Sequence, residues 1–237
     1  MRLESEIQTR LSLVHARVTR AAESAGRDPE TICVIAVSKT FGIDRVRAVA
    51  SVGQVDFGEN RVQEALDKIG RATDLPLRWH LIGHLQSNKA RKAAEHFAWI
   101  HSIDSPDLLR RVDAAAAEAG TTPRLLVQVD LAGEPTKHGA RPEELDGVFA
   151  AARECQAAAV AGLMLLPPFF EDPERTRPYF RRLRAMRDDL AARGVPPAML
   201  AHLSMGMSHD FEIAIQEGAT MVRIGTAIFG SRPPSPA

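Results

Sequence analysis

The sequence predicts an α/β fold: a single (β/α)8 TIM barrel with an extra N-terminal helix. Three observations lead there. Short apolar, β-branched runs alternate about eight times with segments of helical periodicity, the pattern of parallel βαβ units. Several of the runs are continuous rather than alternating, as strands buried on both faces require. The chain length of 237 residues suits one such barrel, which typically takes about 250. A doubly wound sheet is the alternative, but it would carry a glycine-rich fingerprint after its first strand, where this chain has Ser38-Lys39-Thr40. No repeat or linker divides the sequence. One domain is therefore expected over residues 1–232, with a flexible Pro-rich tail over 233–237.

The elements follow in order. Leu3, Ile7, Leu11, Val14 and Val18 fall at helical spacing, with Gly26 as a stop. The first strand is the apolar run Ile32–Val37, and it delivers Lys39 at its C-terminal end. Asp44 caps a helix carrying Val46, Val49 and Ala50. Val55 to Gly58 is a short second strand leading into Glu59-Asn60, and a helix with Val62, Leu66 and Ile69 follows. Arg78 to Leu85 reads as the third strand, after which Ser87 caps a basic helix. Trp99 to Ile103 is the fourth, closed by Asp104-Ser105-Pro106, an N-cap followed by proline at the first helical turn. That helix runs through Leu108, Leu109 and Val112 to Gly120. Leu125 to Leu131 is the fifth strand, followed by a polar loop, Gly133 to Arg141, and a helix from Pro142. Val160 to Leu166 is the sixth, closed by Pro167-Pro168, and Asp172-Pro173 opens a helix with Phe180, Leu183 and Leu190. Met199 to Leu203 is expected as the seventh strand, Asp210 to Gly218 as a helix and Met221 to Ile224 as the eighth strand.

Composition excludes several function classes. Hydrophobic content of 45% and charged content of 25% are ordinary globular values. The formal net charge is zero, so no nucleic-acid partner is expected. The arginines between Arg175 and Arg187 sit at helical spacing and read as a solvated face. Cys33 and Cys155 lack partners at metal-ligand spacing and read as small core residues, so no metal is expected. No signal peptide and no membrane-spanning run is recognised, which leads to a soluble cytoplasmic protein.

In a barrel the C-terminal ends of the strands converge on one mouth, where ligands gather. Lys39 ends the first strand. Burial beside apolar walls disfavours an ammonium ion, and the neutral amine can attack an aldehyde. The plain alternative is a strand-end lysine that snorkels to solvent or pairs with a carboxylate. Ser204 and Gly206 after the seventh strand, with Gly225 and Thr226 after the eighth, offer small residues and hydroxyls suited to a phosphate cradle. Otherwise these glycines only permit tight turns. Arg223 shares a strand face with Gly225. A buried arginine needs an acceptor, either a carboxylate or a heteroaromatic nitrogen. Aldehyde, phosphate and ring nitrogen together describe pyridoxal 5′-phosphate (PLP). A phosphosugar isomerase or Schiff-base aldolase would use the lysine and the cradle without the arginine.

Longer motifs run through nearly the whole chain: Val37-Ser38-Lys39-Thr40, Phe57-Gly58-Glu59-Asn60, Trp79-His80-Leu81-Ile82-Gly83-His84-Leu85-Gln86-Ser87-Asn88-Lys89 and Ser102-Ile103-Asp104-Ser105. Lys137-His138-Gly139, Leu203-Ser204-Met205-Gly206-Met207-Ser208 and Val222-Arg223-Ile224-Gly225-Thr226-Ala227-Ile228-Phe229-Gly230 complete the set. In these blocks the chain resembles the pyridoxal phosphate homeostasis protein family. The resemblance implies a barrel related to the N-terminal domain of alanine racemase, with PLP held as a Schiff base on Lys39. It implies Ser204, Gly225 and Thr226 at the phosphate, Arg223 at the pyridine nitrogen, Asn60 beside the cofactor and Met205 among the cofactor-binding residues. His84 belongs to a family motif without an assigned contact. The family role is to balance intracellular PLP rather than to turn over a substrate, so a carrier or regulator without catalytic residues is expected. Its partners would be PLP and PLP-dependent apo-enzymes, and a monomer is expected.

The alternative is a weak PLP-dependent amino-acid racemase or lyase. Racemisation needs a base on each face of Cα. The single tyrosine, Tyr179, falls in a helix, where outer-layer packing explains it. An arginine opposite the ring nitrogen also discourages ring protonation and weakens the electron sink. Two segments depart from the family pattern: His209, and Leu165 to Glu171 with its Pro167-Pro168-Phe169-Phe170. Phe169 and Phe170 are either a partner contact or a buried loop anchor. Lys137 is either a second, transient aldehyde site or an exposed lysine.

Overall fold

Eight parallel strands close into a barrel in sequential order, β8 returning to pair with β1. The computed structural model describes residues 2–133 and 138–231. The strands are β1 (Cys33–Val37), β2 (Asp56–Glu59), β3 (Arg78–Leu81), β4 (Trp99–Ile103), β5 (Arg124–Val129), β6 (Ala159–Leu165), β7 (His202–Met207) and β8 (Met221–Ile224). Between and around them lie α1 (Arg2–Ser24), α2 (Ile43–Ala50), α3 (Val62–Gly70), α4 (Ala90–His96), α5 (Pro106–Ala119), α6 (Leu145–Ala152), α7 (Arg177–Ala192), α8 (Phe211–Gln216) and α9 (Thr226–Phe229).

Local chemistry sets these boundaries. Ser105 caps α5, its hydroxyl accepting from the Leu108 amide at 3.3 Å, with Pro106 as the first helical residue. α1 is the extra helix. It buries Ile7, Leu11, Val14 and Val18 at the expected spacing and packs against α8 and α9. Its Arg17 forks onto Glu212 at 2.6 and 2.9 Å and lies over the Phe211 ring. The arginines of α7 are not merely a solvated face: Arg177, Arg181 and Arg184 converge on the buried carboxylate of Glu217, just past α8.

Two strands differ from the sequence reading. β3 stops at Leu81 rather than Leu85. There the chain bends so that Gly83 lies against the Asn60 backbone, where a Cβ would sit 2.2 Å from the Asn60 carbonyl oxygen. β7 was expected over Met199–Leu203 but runs from His202 to Met207. Pro197–Leu200 is instead a 3-10 turn whose Leu200 anchors it in the core. Within β7, Leu203 and Met205 enter the layer between sheet and helices, and Ser204 takes the opposite side. The shift moves Ser204 from the strand end to mid-strand.

Most apolar side chains fill the space between strands and helices. A smaller cluster of Ile35, Trp99, Leu126, Ala161, Met164 and Met221 is drawn from strands alone and fills the barrel interior. It shares that interior with buried Asp56, His80, His101, Ser204 and Arg223. No helix among the described residues is long and apolar enough to cross a membrane.

Candidate functional site

Lys39 follows β1 by two residues and is half-buried. The backbone on either side of it is pinned. The Ser38 amide donates to the Gly58 carbonyl at 3.0 Å, and the Ser38 hydroxyl donates to Glu59 Oε1 at 2.6 Å. Thr40 adopts a left-handed conformation, φ 70°, unusual for a residue other than glycine, and its amide donates to Glu64 Oε1 at 2.7 Å. Beneath both, the buried ammonium of Lys68 on α3 reaches the Ser38 carbonyl at 2.8 Å, Glu59 at 2.7 Å and Glu64 at 2.8 Å. Burial pushes the Glu59 carboxyl up, against the pull of Lys68 and Ser38. Its second oxygen, Oε2, has no hydrogen-bond partner among the described residues.

Register carries this segment to the other end of the sheet. Ile35 stands opposite Arg223 and Ala36 opposite Ile224. A Cβ built on Gly225, next along, would fall in van der Waals range of Val37. Arg223 is 3% exposed. Its Nη1 donates to Ser204 Oγ at 2.6 Å and its Nη2 to the Leu165 carbonyl at 2.8 Å. Among the described residues no carboxylate is hydrogen-bonded to it, and Nε has no partner. Burial pushes its pKa down to about 10, partly countered by Asp210, so it remains cationic at neutral pH. An arginine so placed, with donors to spare, matches a ring-nitrogen acceptor better than a structural ion pair.

Ser204 lies beneath Arg223 rather than at the mouth: its side chain is fully buried and hydrogen-bonded to Arg223 and His101. Met205 is fully buried in the outer core, so its side chain faces away from the mouth. The hydroxyl at the mouth belongs to Ser208. Its Oγ accepts from the Gly225 amide at 3.1 Å and the Ala227 amide at 3.5 Å. Two backbone donors thus converge on one point beside the exposed Thr226, an arrangement that suits an anionic oxygen. The Asp210 carboxylate fastens this turn, accepting from the Met207 amide at 2.7 Å. Gly206, at φ 92°, packs so closely on α8 that a Cβ would meet that of Ala214 at 2.5 Å. The donor set of amine, guanidinium and convergent amides fits PLP.

Sequence reasoning missed four contributors. Ser208 belongs to a sequence motif, but a seventh strand expected over Met199–Leu203 puts Ser204 at the strand end in its place. Lys68 lies at i, i+3 from Ala65 on the buried face of α3, and a lysine there reads as solvated. His80 and His101 become legible only once strand parity turns them inward.

The rim adds further detail. His84 lies against Asp104 at 3.7 Å and stacks on His138, ring centroids 3.5 Å apart. Ligating atoms of these three residues come within 4.8 Å of one another. The rings are only 12° from parallel, so their in-plane lone pairs run side by side instead of meeting at a metal. Lys137 lies outside the described residues. The two departures from the family pattern touch one another: Phe169, 77% exposed, packs on His209, whose Nε2 lies 3.0 Å from the Glu171 carbonyl. Phe170 is instead half-buried, between Arg175 and Tyr179. At the opposite end of the barrel a depression of about 390 Å³, lined by His15, Cys33, Asp56, Arg78 and His202, contains none of the predicted site residues.

Comparison with known proteins shows what the chain is similar to. The family model for the alanine racemase N-terminal domain matches residues 10–233. Pyridoxal phosphate homeostasis protein of Aquifex aeolicus is 44% identical over 223 residues, 94% of this chain and 97% of that protein. The Pseudomonas aeruginosa protein of the same name is 44% identical over 229 residues, 96% of each chain. Among solved structures, PipY of Synechococcus elongatus with PLP bound superposes with a TM-score of 0.84 at 40% identity, covering 94% of this chain and 100% of its own. The same protein without PLP gives 0.86 at 41% identity.

Proposed function

Because the chain belongs to the pyridoxal phosphate homeostasis protein family, built on the alanine racemase N-terminal domain fold, we propose that it binds PLP at the C-terminal mouth of its barrel. The cofactor is held as a Schiff base on Lys39, and the protein serves as a carrier and regulator of intracellular PLP rather than as a catalyst. The observation that carries this reading is Arg223: a buried cation with unused donors, in register with the lysine-bearing strand.

PLP supplies an aldehyde. Lys39 would hold that aldehyde carbon as a Schiff base, with water as the by-product. Arg223 would meet the pyridine nitrogen as a donor and, staying cationic, would leave that nitrogen unprotonated. Asn60 lies beside the ring. The phosphate would be held by the hydroxyls of Thr226 and Ser208 together with the amides of Gly225 and Ala227, which otherwise donate to Ser208 Oγ. Ser204 acts through Arg223, and Met205 by packing the strand that carries Ser204. The Lys68–Glu59–Glu64 platform holds the backbone flanking Lys39 in place. The protein works as a cytoplasmic monomer and hands PLP to apo-enzymes.

The test is an absorbance spectrum of the purified protein loaded with PLP, beside Lys39→Ala. A near-visible band present in the wild type and absent in the variant is expected. A band that survives the substitution rules out Lys39 as the attachment point.

A further inference from the structure

Arg223 ends a chain of buried polar groups that crosses the barrel from its base. Arg78 forks onto Asp56 at 2.8 and 2.7 Å. Asp56 Oδ1 lies 2.9 Å from His80 Nε2, and His80 Nδ1 lies 3.0 Å from His101 Nε2. His101 Nδ1 lies 3.0 Å from Ser204 Oγ, which accepts from Arg223 at 2.6 Å. His80, His101 and Ser204 are fully buried.

The ends of this chain fix its direction. Burial pushes the Asp56 carboxyl up, but hydrogen bonds from His80 and Arg78 outweigh it and hold the pKa at about 2. Asp56 is therefore ionised and can only accept. His80 must donate from Nε2, and as a neutral imidazole it accepts at Nδ1. Burial, opposed by Asp56, keeps it neutral. His101 then donates from Nε2 and accepts at Nδ1 from the Ser204 hydroxyl. That turns the Ser204 lone pairs to Arg223, which can only donate. The reverse arrangement, with a cationic His80 and His101 donating from Nδ1, would leave Ser204 accepting twice, with its proton unplaced in a dry interior. Every bond thus points from Arg223 toward Asp56, and bonds aligned in this way polarise one another.

We propose that Asp56, His80 and His101 are positioning residues for the cofactor: by fixing the Ser204 hydroxyl as an acceptor, they hold the Arg223 guanidinium with its remaining donors available to the pyridine nitrogen. The proposal rests on the PLP reading above. Without His101, Ser204 Oγ turns freely and the guanidinium loses one of its two fixed contacts.

Two measurements test it on the whole protein. Histidine 15N NMR of the protein without added ligand should show two buried imidazoles in the neutral Nε2–H tautomer from pH 6 to 8. An Nδ1–H or cationic form of either overturns the directed chain. Titration with PLP and with its 1-deaza analogue, which lacks the ring nitrogen, separates positioning from folding. Asp56→Asn and Ser204→Ala should weaken PLP roughly tenfold or more, as loss of support for a charged hydrogen bond implies, and leave the deaza analogue unchanged. Equal effects on both ligands, or none on either, refute the positioning role. Failure of the wild type to bind either ligand overturns the PLP reading and the positioning role with it. Wild-type binding of both with no difference among the variants overturns only the present proposal.

Discussion

Lys68 offers the sharpest test of how the segment around Lys39 is held. Its ammonium is nearly dry, with a side-chain exposure of 5%, and Glu59 beside it has 0%. Lys68→Met keeps the stem but strands a buried carboxylate that already has one unpartnered oxygen. Breaking a buried pair from one side costs about 3–5 kcal/mol, a large share of the ~5–15 kcal/mol that holds a domain together. With a urea slope of about 3 kcal/mol/M, the midpoint should fall by about 1–1.7 M. The pH dependence has a definite sign. Burial already raises the Glu59 carboxyl, and losing Lys68 raises it further. The folded state then binds a proton more tightly than the unfolded state, so stability falls as pH rises above the unfolded value of about 4.3. Urea unfolding followed by circular dichroism at pH 5 and pH 8 should therefore show the larger deficit at pH 8. Adding Glu59→Gln removes the charge and keeps an acceptor for Ser38, so the double variant should recover most of the loss. A single variant within about 1 kcal/mol of the wild type, or a double variant no better than the single, refutes the platform.

Other expectations follow from the same site. Ser208→Ala removes a hydroxyl from the proposed phosphate seat, so it should weaken PLP by roughly ten- to a hundredfold relative to pyridoxal, which lacks the phosphate; equal loss for both ligands argues against that seat. Incubation of the PLP-loaded protein with L-alanine or L-serine in deuterated water should give no steady deuterium at Cα, and sustained incorporation would favour the racemase or lyase alternative. Burial lowers the pKa of His80 and His101, so the stability they contribute is full above their unfolded value near 6.5 and is lost as pH falls below it. Unfolding titrations should show that slope, and it should flatten in His101→Phe; an unchanged slope refutes the assignment. Gly83→Ala places a methyl 2.2 Å from the Asn60 carbonyl oxygen, and a melting temperature within a degree of the wild type would show that the Asn60 turn yields without cost.

The barrel was legible because most of its strands are buried on both faces, which writes them as continuous apolar runs. Cys33–Val37, Trp99–Ile103 and Met221–Ile224 lie within a residue or two of their expected limits. β7 was misplaced for the same reason. Its inward face carries Ser204 where the rule expects an aliphatic residue, and Gly206 follows, so the strand looks like a loop. The apolar Met199-Leu200 of the preceding 3-10 turn supplied a false start. That one shift exchanged the places of Ser204 and Ser208. Lys39, Arg223, Gly225 and Thr226 kept their positions because their strands were read in register. The surroundings of Arg223 are not legible in sequence, since its partners Ser204 and Leu165 lie 19 and 58 residues away, the imidazole of His101 lies 103 residues from Ser204, and all of them meet only through closure of the sheet.

Burying this much charge inside a barrel is a poor way to gain stability, since well-packed apolar side chains of equal volume commonly do as well or better. Both polar systems nonetheless end at the mouth. One runs from Glu59, Glu64 and Lys68 to the residues flanking Lys39; the other runs from Asp56 through two imidazoles to Arg223. A site built for turnover gains from groups that change protonation state near neutral pH. Here the carboxylate at one end, held at about 2, and the guanidinium at the other, at about 10, both keep their charge across that range. Between them, burial lowers the pKa of both imidazoles and so favours their neutral form near neutral pH. On the proposed reading, such a frame would hold an aldehyde and an aromatic nitrogen in fixed places without supplying a proton shuttle. That is the physical difference between a protein that keeps a reactive cofactor and one that uses it.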